Sequence, residues 1–491
     1  MTERIARSLE RIEAGIARGP YADDWASLSQ YRVPEWYERI RFGIFIHWGV
    51  YSVPAFGSEW YPRNMYVQGS PEFEHHVKTY GPHREFGYKD FIPLFRAERF
   101  DPEAWVELFA RAGAQYVVPV AEHHDGFQMY RSDLSRWNAF EMGPRRDVLG
   151  ELTAACRARG LVTGASSHRI EHWFFMSHGR EFDSDIREPV ARGSLYWPAM
   201  PEPDFQDLFS LPAPSDEFMQ DWLLRTCELI DRYQPSILYF DWWIQHSAAR
   251  PWLKKLAAYY YNRAAERGAE AVINYKHDAF LFGTAVPDVE RGQFADAVPY
   301  IWQTDTAVAR NSWCYTDGNI YKTAEELLWN LVDVVSKNGR LLLNIGPRAD
   351  GTIPDEDAGI LAEIGDWLRV NGEAVYGARV WRRYGEGPTR VAEGQFSDGE
   401  KVAFTDRDFR FTTKDGALYV VAMKCSPDGA YCVRSLGEQD ASRQANFHGI
   451  ISGVRVLGAD EPPLWSRDAE GLHLRTSFRS DKPVVFRLQL D

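Results

Sequence analysis

"DPEAWVELFARAGAQYVVPVAEHHDG", residues 101–126, carries one whole unit of the fold. Asp101 offers an N-cap, Pro102 suits the first helical position, and Gly113 stops the helix. A nearly all-apolar run follows and ends in His123, His124 and Asp125. A strand that is apolar on both faces belongs to a parallel sheet covered by helices. Polar groups just beyond such a strand stand at its C-terminal end, where parallel α/β folds place their chemistry.

The unit recurs. Asp147 opens a helix that Gly160 closes, and "LVTGASSH" ends at His168. Ser215 caps a helix running to about Tyr233, and "SILYFDWW" leads into Asp241. Another helix ends near Gly268, and "AVINYKHD" delivers Lys276, His277 and Asp278. Upstream, "RFGIFIHWGVYSVPAFGSEWY" (41–61) reads as the first strand, breaking into His47, Trp48 and Gly49 and then reaching Glu59 and Trp60. A doubly wound sheet would usually carry a Gly-rich phosphate loop after that strand, and there is none. The pattern therefore predicts an α/β fold, a (β/α)8-like TIM barrel over residues 35–377, behind an N-terminal helical extension over residues 1–34. After Gly377 the style changes. "FRFTTKDGALYVVAM" alternates around a Lys-Asp-Gly turn, and "GVRVLG", "GLHLRTSF" and "PVVFRLQL" continue it. Residues 378–491 are predicted to form an antiparallel C-terminal β-sandwich.

The 491 residues are enough for two or three domains, and 45% of them are hydrophobic. The 18 tryptophans are unusually many, and indoles stack on the C–H faces of sugars as readily as they fill cores. A net charge of -14 argues against a nucleic-acid partner. Five cysteines with no Cys-x-x-Cys pair fit reduced thiols better than a disulfide scaffold or structural zinc. The first 19 residues read as an amphipathic helix stopped by Gly19 and Pro20, without the apolar core of a secretory signal. With no window long enough to span a membrane, the expected location is the cytoplasm.

Asp241, beside Trp242 and Trp243, is a carboxylate in partly desolvated surroundings. His47, His123 and His124 invite a metal reading, with Glu122 and Asp125 nearby. Adjacent histidines on a strand point to opposite faces, however, and neutral imidazoles bind hydroxyls without metal; no metal or other cofactor is expected. Glycoside cleavage needs two carboxyl groups, one ionised and one protonated. Candidates for the second are Asp288, Glu290, Asp296 and Asp305, in the loop-rich segment "VPDVERGQFADAVPYIWQTDT". Spacing does not choose among them.

With these residues in view, the chain resembles the α-L-fucosidases of glycoside hydrolase family 29. The resemblance rests on "RFGIFIHWGVYSVPA", "SEWY", "YVVPVAEHHDGF", "GPRRDVLGEL", "SWCY" and "NGRLLLNIGPRADGTIPDEDAGILAEIGDWLRVNGEAVYG", in the family's order. It implies a barrel with a C-terminal sandwich and metal-free hydrolysis of fucosylated oligosaccharides or glycoconjugates with retained configuration. The family's nucleophile maps onto Asp241, and "VPDVERG" suggests Glu290 as its acid/base. The fucose-contacting positions map onto His47, Glu59, Trp60, His123, His124 and Trp313. Trp48, Trp60 and Trp313 are expected to hold the sugar's methyl group and carbon face.

The chain also departs from the family pattern. Trp242 follows the nucleophile where Gly is usual, and Cys314 replaces a common Gly. Lys276 stands in place of an Asn-Asp-Arg cation, and His168 is offered where many members have tyrosines. His168 and Lys276 thus join the expected substrate contacts. A retaining enzyme for another sugar, such as an α-L-galactoside, an inactive carbohydrate-binding protein and a metal-dependent hydrolase are the alternatives.

Overall fold

In this computed structural model, which describes residues 2–187, 189–399, 402–438 and 447–491, eight parallel strands close into a barrel. They are β1 (Phe42–Ile46), β2 (Tyr116–Glu122), β3 (Val162–Ser167), β4 (Ile237–Phe240), β5 (Val272–Tyr275), β6 (Val286–Glu290), β7 (Trp302–Ala307) and β8 (Gly339–Ile345). β1 pairs with both β2 and β8, which closes the ring. The helices start where their caps are written. The carboxylates of Asp101 and Asp147 accept from the backbone N–H of Ala104 and Gly150, and the hydroxyl of Ser215 accepts from that of Phe218.

β6 and β7 correct the sequence reading. The stretch taken as loop-rich holds two barrel strands, with Glu290 opposite Asp305 and Asp288 opposite Gln303. Polar side chains at inward positions hid the strand pattern. They are tolerated because they bury around one ammonium: Lys276 Nζ lies 2.5 Å from Asp288 Oδ1 and 3.0 Å from Asp305 Oδ1.

The barrel interior is packed by Phe45, Tyr116, Val118, Val120, Ile237, Tyr239, Val272, Val286 and Leu342. The N-terminal helix Thr2–Arg18 lays Ile12 and Ile16 into the core that covers the helix Arg250–Glu266. Gly19 lets the chain pass close to that helix: a β-carbon there would stand 2.0 Å from Asn262 Cγ.

Beyond the barrel, β9 (Arg379–Glu386), β10 (Phe409–Lys414), β11 (Ala417–Ala422), β13 (Ile451–Val456) and β16 (Val484–Leu490) form one antiparallel sheet. A smaller sheet holds β12 (Ala430–Val433), β14 (Leu464–Arg467) and β15 (Leu472–Arg475). The β10–β11 turn is the expected Asp-Gly pair, Asp415 at φ 48° and Gly416 at φ 74°. This region is tied to the barrel through the helix Ala324–Ser336, where Asp333 pairs with Lys337 at 2.9 Å and with Arg410 of β10. The five cysteines are free. Among the described residues no helix is long and apolar enough to cross a membrane.

Candidate active site

The C-terminal ends of the strands open into a cavity of about 240 Å³. His47 follows β1, His123 and His124 follow β2, and His168 follows β3. Asp241 follows β4, and Glu290 is the last residue of β6. Glu59, Trp60 and Trp313 enter from loops. The histidine pair faces one cavity because β2 has already ended at Glu122. Glu122 itself turns outward to Arg169 at 2.9 Å and Arg225 at 3.0 Å.

Asp241 is held as a carboxylate. Burial would raise its pKa, but the hydrogen bond and field of His168, with His124 and Lys276 beyond, hold it well below the usual range. His168 Nδ1 donates to Asp241 Oδ2 at 2.8 Å, while Ser166 Oγ lies 3.0 Å from the other ring nitrogen. Glu290 has the opposite setting. Burial pushes its pKa up to about 8; Lys276 at 3.2 Å and the Trp242 indole oppose the shift, and Asp305 and Asp241 add to it.

The remaining groups form a linked wall. His47 Nδ1 donates to Asn344 Oδ1 at 2.6 Å, and Asn344 Nδ2 donates to the Trp313 carbonyl at 2.6 Å. Glu59 Oε2 accepts from the Trp313 backbone N–H at 2.9 Å, and burial raises its pKa. His124 Nδ1 donates to the His168 carbonyl at 2.9 Å, and burial lowers the His124 pKa to about 4. Burial also drives His47 and His123 well below the usual imidazole range, so both are neutral. His123 stacks on His168 with ring centres 4.8 Å apart, and its Nδ1 has no hydrogen-bond partner.

Two expected contacts lie elsewhere. Trp48 is a core residue. It packs on Phe95, Phe100 and Trp105 and donates its indole N–H to the Arg348 carbonyl at 2.8 Å. The alternation that aims Phe45 and His47 at the cavity sends Trp48 to the opposite face. Lys276 is fully buried below the cavity and does not line it; its ammonium meets Glu290 and Asp305, which do. Of the other carboxyl candidates, Asp305 lines the cavity and accepts from Tyr239 Oη at 2.8 Å, Asp288 lies beneath on Lys276, and Asp296 is exposed on a loop.

Sequence reasoning missed Glu171, Gln206 and Phe396, which also line the cavity. Glu171 Oε2 stands 3.4 Å from His124 Nε2; burial raises its pKa, and its Oε1 has no partner. Its place three residues after a strand-end histidine was the available signal.

Ligand atoms of His47, His123 and His168 lie within 4.8 Å of one another, as do those of His124, His168 and Asp241. His168 belongs to both sets and already engages both ring nitrogens, so a metal at either place would break its hydrogen bond to Ser166 or to Asp241.

A family model described as alpha-L-fucosidase matches residues 9–373. The tissue α-L-fucosidase of Rattus norvegicus is 30% identical over 464 residues, covering 92% of this chain and 88% of that protein. The plasma α-L-fucosidase of Homo sapiens is 32% identical over 377 residues, covering 73% and 72%. The crystal structure of a Thermotoga maritima α-fucosidase in complex with fucose superposes with a TM-score of 0.72 at 30% identity, covering 95% of this chain and 100% of that one.

Proposed function

The chain belongs to the α-L-fucosidase family and is a glycoside hydrolase, and from that premise we propose that it removes terminal α-L-fucosyl groups from glycans in two steps with retained configuration. The observation that carries this reading is two carboxyl groups lining one cavity in opposite settings: the His168 hydrogen bond favours the charged form of Asp241, and burial favours the neutral form of Glu290.

In the first step an Asp241 oxygen attacks the anomeric carbon. His168 and His124 both approach Oδ2, which leaves Oδ1 for the attack. The glycosidic C–O bond breaks as Glu290 gives its proton to the departing oxygen. With the nucleophile's charge consumed, the Glu290 pKa falls, and its carboxylate takes a proton from incoming water. That water breaks the glycosyl–aspartate bond and returns both groups to their starting states. With their Nδ1–H groups given to Asn344 and to the His168 carbonyl, neutral His47 and His124 each keep Nε2 as an acceptor for a sugar hydroxyl, and His123, whose Nδ1 has no partner, is free to donate or accept. Trp60, Trp313 and Phe45 face the ring's carbon side. No step uses a metal.

The test is the anomer first released from an aryl α-L-fucoside, followed by NMR before mutarotation. Initial α-fucose supports the scheme; initial β-fucose means single displacement and overturns it.

A further inference from the structure

The segment joining β9 to β10 belongs to the C-terminal region, yet it reaches into the barrel's mouth. Its residues 394–398 are clamped along the residues that end and follow β6. The backbone N–H groups of Gly394, Phe396 and Asp398 donate to the carbonyls of Gln293, Glu290 and Arg291, each at 2.8 Å. The Gln395 side chain accepts from the Glu290 backbone N–H. Asp398 accepts from Thr306 Oγ1 at 2.6 Å and pairs with Lys322.

This clamp holds Phe396 in the left-handed region, at φ 56°, a conformation that favours glycine. Trp243, His277 and Arg291, each next to a site residue, are likewise at φ 75°, 49° and 44°. The Phe396 ring stacks on Trp242 with centres 5.5 Å apart and planes 18° apart. Trp242 also packs edge-to-face with His277, ring centres 4.2 Å apart. Despite all this support Phe396 is 57% exposed. A large apolar side chain whose backbone is bonded to the Glu290 carbonyl, whose ring stacks on Trp242 and which is left open at a cavity rim is placed to receive something.

We propose that Phe396 and Trp242 form the subsite for the leaving group, and that its occupant is a neutral hexopyranose stacking the C–H face of its ring on Phe396. The inference rests on the two-carboxyl reading above and deepens it. An acid must lie within hydrogen-bond reach of the glycosidic oxygen, so whatever that oxygen joins stands beside Glu290. Trp242 is hydrogen-bonded to Glu290, and Phe396 lies on Trp242. The aromatic shelf is therefore on the leaving-group side, and the second domain helps to choose the substrate.

The experiment compares an α-L-fucosyl-(1→2)-galactoside with methyl α-L-fucoside in the intact protein. Both leave as alkoxides and need the same proton from Glu290, but only the first brings a ring. Phe396→Ala is expected to lower kcat/KM for the disaccharide roughly tenfold more than for the methyl glycoside, with the difference mainly in KM. Phe396→Tyr should restore the ratio. Equal losses on both substrates, or a displaced alkaline limb of the pH profile, would make Phe396 a support for Glu290 and overturn the proposal, as would no loss on either. A wild-type protein that cleaves neither substrate would sink the parent reading instead.

Discussion

Trp242 Nε1 donates its hydrogen bond to Glu290 Oε2, so the residue after Asp241 holds the second carboxyl across the cavity. The bond favours the ionised form of Glu290, against the burial that favours the neutral one. Trp242→Phe keeps the ring and removes the donor. Its Glu290 should have a higher pKa, so the alkaline limb of kcat/KM, expected near the wild-type value of about 8, should move up. The sign follows because the protonated acid is the working form in the proposed scheme. A pH–rate profile checks it; a limb that stays or falls would show that the indole does not tune this group.

His168 plays the matching part for Asp241. It is the strongest influence lowering that carboxyl's pKa, against burial. His168→Ala should let the Asp241 pKa rise, and the working form here is the ionised one. Activity should then be lost as pH falls through a range where the wild type is still flat. An acid limb identical in both proteins would remove His168 from this role.

Asp241→Gly should abolish turnover, and azide should rescue it with formation of β-fucosyl azide. Glu290→Ala should lose about 10²–10⁴-fold on substrates with poor leaving groups. It should accumulate intermediate from activated aryl fucosides, and azide should then give the α-azide. Near-normal cleavage of natural oligosaccharides by Glu290→Ala would move the acid role to another carboxyl, with Asp305 the other candidate lining the cavity.

Trp48→Ala should act on stability rather than on the sugar. A buried indole removed from among Phe95, Phe100 and Trp105 should cost about 3–5 kcal/mol. Urea titration measures this, and the surviving folded protein should keep its KM. A stable variant with a raised KM would return Trp48 to the cavity wall.

Dialysis against EDTA should leave activity unchanged, because the ring nitrogens of His168 that a metal would need are already engaged. Loss of activity that zinc restores would contradict the metal-free scheme.

The local grammar of the chain determined much of this protein. Asp101, Asp147 and Ser215 cap helices where their spacing says, and doubly apolar runs become barrel strands. These features depend on neighbours within a few residues, so they can be read in one dimension. The same grammar put His47, His123, His124, His168 and Asp241 at strand ends, and hence on one rim. It also contained the signal against Trp48, since alternation from Phe45 aims it away from His47.

Tertiary structure decided the rest. β6 and β7 were hidden because Asp288, Gln303 and Asp305 look like loop residues until Lys276, just past the end of β5, buries with Asp288 and Asp305. Which carboxyl is neutral and which is charged depended on desolvation and on charges converging from several strands. Phe396 meets Trp242 and the Glu290 backbone only because the segment joining β9 to β10 folds back over the barrel. Sequence patterns report short-range preferences, whereas pKa values and pockets are set by groups distant in the chain and adjacent in space, where low dielectric makes their interactions strong.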